Sequence, residues 1–121
     1  MTRILAVEDN RDTQLLLYYL LNTHFNLEIV AQVDEAMQAA AKSTFDAFVL
    51  DINLGEARSG VELLCMLRTL PQHEHTPALA LTAYALPGDR ERLLEAGFAG
   101  YVSKPFTRTD LLDGISQLLD A

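Results

Sequence analysis

Five short apolar runs recur along this chain, and each is followed by a longer amphipathic stretch. The runs are Arg3 to Val7, Leu27 to Val33, Ala47 to Leu50, Ala78 to Leu81 and Gly100 to Ser103. A half-exposed strand alternates apolar and polar residues, whereas a strand buried on both faces reads as a continuous apolar run. The third run is wholly apolar and the first is apolar on both faces after Arg3, so they predict strands covered on both sides. The stretches between predict helices over about Arg11 to His24, Glu35 to Lys42, Val61 to Leu70, Pro87 to Gly97 and Thr107 to Leu119. Asp34 is placed to cap the second helix, Pro71 to stop the third and Gly97 to end the fourth. Strict strand–helix alternation argues for a parallel sheet with helices on both faces. Right-handed crossovers make it a doubly wound α/β fold of five strands and five helices. The strand order 2-1-3-4-5 is taken from known folds of this kind, not from the residues.

At 121 residues the chain is expected to form one domain, residues 1–121, with a sizeable core. Acids outnumber bases by 17 to 9, a formal charge of −8. So acidic a chain is a poor direct ligand for nucleic acid and for an anionic membrane surface. The longest apolar run, Leu15 to Leu21, has seven residues, far short of the ~20 that span a bilayer. Arg3 leads straight into Ile4-Leu5-Ala6-Val7 and two acids, unlike a signal peptide. One cysteine, Cys65, excludes an intramolecular disulfide and fits a reducing cytoplasm.

Ligands of doubly wound sheets bind at the carboxyl ends of the strands. There the first strand ends in Glu8-Asp9, the third in Asp51 with Asn53 two residues on, the fourth in Thr82 and the fifth in Lys104-Pro105. Taken singly, each has an ordinary explanation. Glu8 and Asp9 suit the amino end of the following helix, Asp51 suits a loop cap, Thr82 suits a strand-end hydroxyl and Lys104 suits solvent. Together on one rim they suit a hard cation and a phosphoryl group. Converging carboxylates repel one another and raise each other's pKa. Mg²⁺ takes oxygen ligands of this type. One aspartate can act as nucleophile toward phosphorus, with the metal and a lysine neutralising the transferring group.

These residues, within ILAVEDN, DAFVLDINL, ALALTAYA and GYVSKPF, resemble the receiver domain of two-component response regulators over essentially the whole chain. Steps of 42, 31 and 22 residues lead from Asp9 to Asp51, on to Thr82 and on to Lys104, also as in that family. The resemblance implies that Asp51 accepts phosphate from a histidine kinase or a histidine phosphotransfer protein. It implies that Glu8, Asp9, Asp51 and the backbone carbonyl of Asn53 hold Mg²⁺. It makes Thr82 and Tyr101 the switch pair, Lys104 the phosphate's counter-charge, and Lys104-Pro105 a cis bond. It implies a signalling switch rather than an enzyme acting on other molecules. Output would pass to a downstream protein or to an absent output domain, since the chain ends just after its last helix. A stand-alone or degenerate receiver acting without phosphate is the alternative, and weak dimers are compatible with either. One departure stands out. The family commonly has proline four residues after the acceptor and glycine eight after it. Here these are Gly55 and, nine residues on, Gly60. Tyr84 is expected to shield the phosphoryl group from water.

Two other classes fit less well. An aspartyl phosphatase of the haloacid-dehalogenase type needs a second aspartate where Asn53 stands. A flavodoxin-like cofactor binder needs a phosphate loop where Glu8-Asp9-Asn10-Arg11-Asp12 stands. On the first helix, Thr13, Leu16, Leu17, Leu20, Leu21 and His24 share one face, read as the core stripe. Leu15, Tyr18 and Tyr19 then point outward as a docking patch for the kinase or phosphotransfer protein. Cys65 is expected at the surface, and His73 and His75 in a solvated loop.

Overall fold

The computed structural model describes residues 2–83 and 87–120. The order is β1 (Arg3–Val7), α1 (Arg11–Leu21), β2 (Asn26–Val30), α2 (Val33–Lys42), β3 (Ala47–Asp51), α3 (Gly60–Leu67), a 3₁₀ turn (Pro71–His73), β4 (Ala78–Thr82), α4 (Asp89–Glu95), β5 (Gly100–Ser103) and α5 (Arg108–Asp120). The five strands pair in parallel in the order β2-β1-β3-β4-β5. This is the expected doubly wound fold.

The continuous apolar strands are explained by two cores, one on each face. Ile4, Ala6, Ala47, Val49, Leu79 and Leu81 meet α1 and α5 through Leu17, Leu21, Leu111, Ile115 and Leu118. Their neighbours Leu5, Val7, Phe48, Leu50, Ala78 and Ala80 meet α2, α3 and α4 through Val33, Ala36, Leu63, Leu67 and Leu93. Successive side chains leave a strand on opposite faces, so a wholly apolar run fills both layers. On α5, Leu111, Ile115 and Leu118 face inward while Thr109, Asp113, Ser116 and Asp120 face solvent, as their spacing predicts.

Several expectations need correction. α1 stops at Leu21, and His24 lies beyond it, exposed, its Nε2 accepting from the Arg108 guanidinium at 3.0 Å. Leu16 is 43% exposed and is not core. β2 ends at Val30; Val33, which prolongs its apolar run in sequence, is instead the first buried residue of α2. Asp34 does not cap α2. Glu35 reaches back to the N–H groups of Ala31 and Gln32 at 3.2 and 3.1 Å, starting the helix earlier. α3 ends at Leu67, three residues before the expected Leu70. His73 is fully buried rather than solvated, whereas His75 is exposed. Cys65 is exposed, as expected.

Candidate functional site

The carboxyl ends of β1, β3, β4 and β5 deliver Glu8, Asp51, Thr82 and Lys104 to one cleft of about 530 Å³, which Asp9, Asn53 and Gly55 also line. Glu8 is fully buried, while Asp9 faces solvent. Glu8 is held at both ends. Its backbone N–H donates to the Val30 carbonyl at 3.0 Å. Its own carbonyl accepts from Gln14 Nε2 at 2.6 Å, and its Oε2 accepts from the Asn10 N–H at 3.1 Å. Asn10 also caps α1, accepting from the Thr13 N–H at 3.0 Å. The amino end of that helix therefore closes one side of the cleft.

Asp51 is nearly buried at the end of β3, and its Oδ1 accepts from the Asn53 N–H at 3.2 Å. Gly60 passes directly behind it. A Cβ there would stand 2.3 Å from the Asp51 carbonyl oxygen. Lys104 bridges the two buried acids, donating to Glu8 Oε1 at 2.7 Å and to Asp51 Oδ2 at 3.0 Å. Its backbone N–H donates to the Thr82 carbonyl at 2.7 Å, and the bond to Pro105 is cis. Oxygens of Glu8, Asp9 and Asp51 all lie within 4.8 Å of one another.

The electrostatics follow from this crowding. Burial raises the Glu8 pKa, the Asp51 carboxylate raises it further, and Lys104 offsets part of the rise. Burial and then Glu8 raise Asp9. Burial works against the charge on Lys104, but its bonds to Glu8 and Asp51 outweigh this, so its pKa is raised. Lys104 inside the cleft and the exposed Arg11 at its rim, against three carboxylates, leave it short of positive charge. All its donors are hard oxygens, the set Mg²⁺ prefers.

Tyr101 is not in the cleft. It is half-buried on β5, packed against the α2–α4 core and lining a separate groove with Arg90, Leu94 and Asp113. Leu15, Tyr18 and Tyr19 are 49, 48 and 75% exposed, and Leu16 joins them. Tyr84 lies outside the described residues. Sequence reasoning missed Gln14, whose amide only reveals its role once the turn after Glu8 is folded.

The response regulator receiver domain profile matches residues 4–116. The chain belongs to that family and is a receiver domain of two-component signalling. It is 36% identical over 115 residues to an uncharacterised 14.6 kDa protein of Leptolyngbya boryana, covering 94% of this chain and 87% of that one. It is 31% identical to the signal transduction histidine-protein kinase BarA of Escherichia coli over 84% of this chain, but spans only 11% of that protein. Among solved structures it resembles the receiver domain of sensor histidine kinase PA1611 from Pseudomonas aeruginosa, with 31% identity and a TM-score of 0.88. That match covers 99% of this chain and 98% of that one, and that structure has a magnesium ion coordinated in its active site cleft. Among the described residues, no helix is long and apolar enough to cross a membrane.

Proposed function

We propose that this receiver is a phosphorylation-controlled switch with Asp51 as acceptor. An Asp51 carboxylate oxygen attacks the phosphorus of a phosphohistidine. The O–P bond forms, the P–N bond breaks, and the imidazole leaves as it takes up a proton. Glu8, Asp9, Asp51 and the Asn53 carbonyl would hold Mg²⁺, which when bound neutralises charge on the transferring group. Lys104 already reaches Asp51 and needs little movement to pair with a phosphoryl oxygen. The Thr82 hydroxyl, at the end of the neighbouring strand, donates to another. Drawing Thr82 toward the phosphate shifts Tyr101 and the α4–β5–α5 face between two states, a population shift. The donor is a histidine kinase or a histidine phosphotransfer protein, docking through Leu15, Tyr18 and Tyr19. Residues 1–121 act as one domain in the cytoplasm, with output through a protein partner or a joined domain.

The observation that carries this reading is the Lys104 ammonium suspended between Glu8 and Asp51 inside an all-oxygen acid cluster. The test is intact mass after incubation with Mg²⁺ and acetyl phosphate. One phosphoryl group is expected on wild type, none on Asp51→Ala and none with chelator present. A wild type that binds Mg²⁺ but gains no mass points to the phosphate-independent alternative. One that binds no Mg²⁺ overturns the assignment of the cleft.

A further inference from the structure

The loop between β3 and α3 is fixed at both ends by the cleft but in its middle by something else. At its start the Asn53 N–H bonds Asp51 Oδ1, and the Gly55 N–H bonds Asn53 Oδ1 at 3.3 Å. At its end the Gly60 N–H bonds the Ile52 carbonyl at 3.0 Å. Between them, both carboxylate oxygens of Glu56 are engaged. Oε2 accepts from the Val33 N–H, the first of α2, at 3.3 Å. Oε1 accepts from Arg58 Nε at 3.3 Å. The same guanidinium pairs with Asp34 in the first turn of α2 at 3.0 Å. A carboxylate there is favoured by the helix dipole and by unpaired N–H groups. The loop is thus latched to a helix outside the cleft. Beside the latch stands Gly55, at φ 67°, so close to Asp9 that a Cβ would lie 2.5 Å from Oδ2.

We propose that Glu56 is a positioning residue for the cation of this cleft. Latching the loop to α2 sets where Gly55 stands against Asp9 and where the Asn53 carbonyl is held. Glu56 touches neither the metal nor the phosphate. Partners of metal-binding groups tune affinity by restricting the orientations of those groups. The proposal rests on the reading that Asp9 and Asn53 hold Mg²⁺.

The experiment is calorimetric titration with MgCl₂ of wild type, Glu56→Ala, Glu56→Gln and His73→Leu. The last is a destabilised control at the far end of the strands. Glu56→Ala is expected to bind about tenfold more weakly, and His73→Leu like wild type. Amide exchange in the metal-free protein is expected to quicken at Val33 and Gly55 in Glu56→Ala. Wild-type affinity in Glu56→Ala, or an equal loss in His73→Leu, overturns the proposal. If Glu56→Ala does not fold, Glu56→Gln decides. It keeps an acceptor for Val33 but loses the charge facing Arg58, so an affinity below wild type is expected and equality overturns the idea. A wild type that takes up no Mg²⁺ overturns both this proposal and the reading of the cleft beneath it, and only that outcome reaches the latter.

Discussion

Two glycines bracket the cleft, and each is required for a different physical reason. At Gly60 the reason is space. The atoms a Cβ would meet are the backbone of Asp51 and Ile52, which cannot turn aside. Gly60→Ala is expected to lower unfolding stability by about 1–3 kcal/mol, the usual cost of forcing a methyl into closed packing. Phosphorylation should slow with it, because the atom displaced belongs to the acceptor. Urea unfolding and the acetyl phosphate assay check both. At Gly55 the reason is conformation. Its φ of 67° is closed to proline, which is locked near −65°. Gly55→Pro, which restores the family's commoner residue, should therefore weaken Mg²⁺ binding and stability here. Equal affinity and stability would show that the loop takes another path. At this scale the acids, Thr82 and Lys104 were legible, because each directly follows an apolar run and runs end at one rim. His73 was not. Its burial comes from Phe45 and Phe48, whose rings lie 6.1 and 5.0 Å away and about 25 or more positions earlier in the chain. No local pattern reports such a contact.

Elements are joined at the end of the sheet opposite the cleft by that same histidine. The Ser43 carbonyl, at the carboxyl end of α2, can only accept, so His73 Nε2 donates to it at 3.1 Å. In the neutral ring Nδ1 then accepts from the Thr76 hydroxyl at 3.0 Å. Arg68, at the carboxyl end of α3, donates to the carbonyls of His73 and Thr76. Burial lowers its pKa from a very high ordinary value. Two helix ends and the approach to β4 are thus fastened together. His73→Leu preserves apolar bulk but strands the Ser43 carbonyl, at a cost of about 1–3 kcal/mol. Thermal unfolding should show that loss, with Mg²⁺ affinity unchanged because the fastening lies a strand's length from the cleft. A shift in affinity would mean the two ends of the sheet are coupled. The strands were legible because two-sided burial leaves a plain signal. The start of α2 was not, because Val33 continues the apolar run of β2 while belonging to the next element. Nor was the carboxyl end of α1, since neither glycine nor proline stands between Leu21 and Phe25 to mark a stop.

For the whole molecule, a net charge of −8 and a cleft of three carboxylates act in the same direction. Both favour proton or cation uptake by the folded state. Glu8 and Asp9 have raised pKa values, so the metal-free fold retains protons that the unfolded chain has already released. Their contribution to stability is full below the unfolded pKa and is lost as pH rises through the folded one. Lys104, also raised, keeps its contribution until far more alkaline pH, so it adds no slope between mildly acid and neutral conditions. The carboxylates therefore make the cleft least favourable at neutral pH in the absence of metal, the condition where a divalent cation has most to offset. Mg²⁺ should raise the melting temperature more at pH 7.5 than at pH 5, because protons compete for the same oxygens. At a hundred times its dissociation constant a ligand adds about 2.7 kcal/mol. General screening of the net charge would act without regard to the cleft. Sodium chloride at matched ionic strength and the Asp9→Asn variant separate the two effects. The expected result is a Mg²⁺-specific, pH-dependent shift in wild type, smaller in Asp9→Asn. A shift that sodium reproduces, or that survives unchanged in the variant, would place the stabilisation on the acidic surface at large and remove the cleft from its explanation.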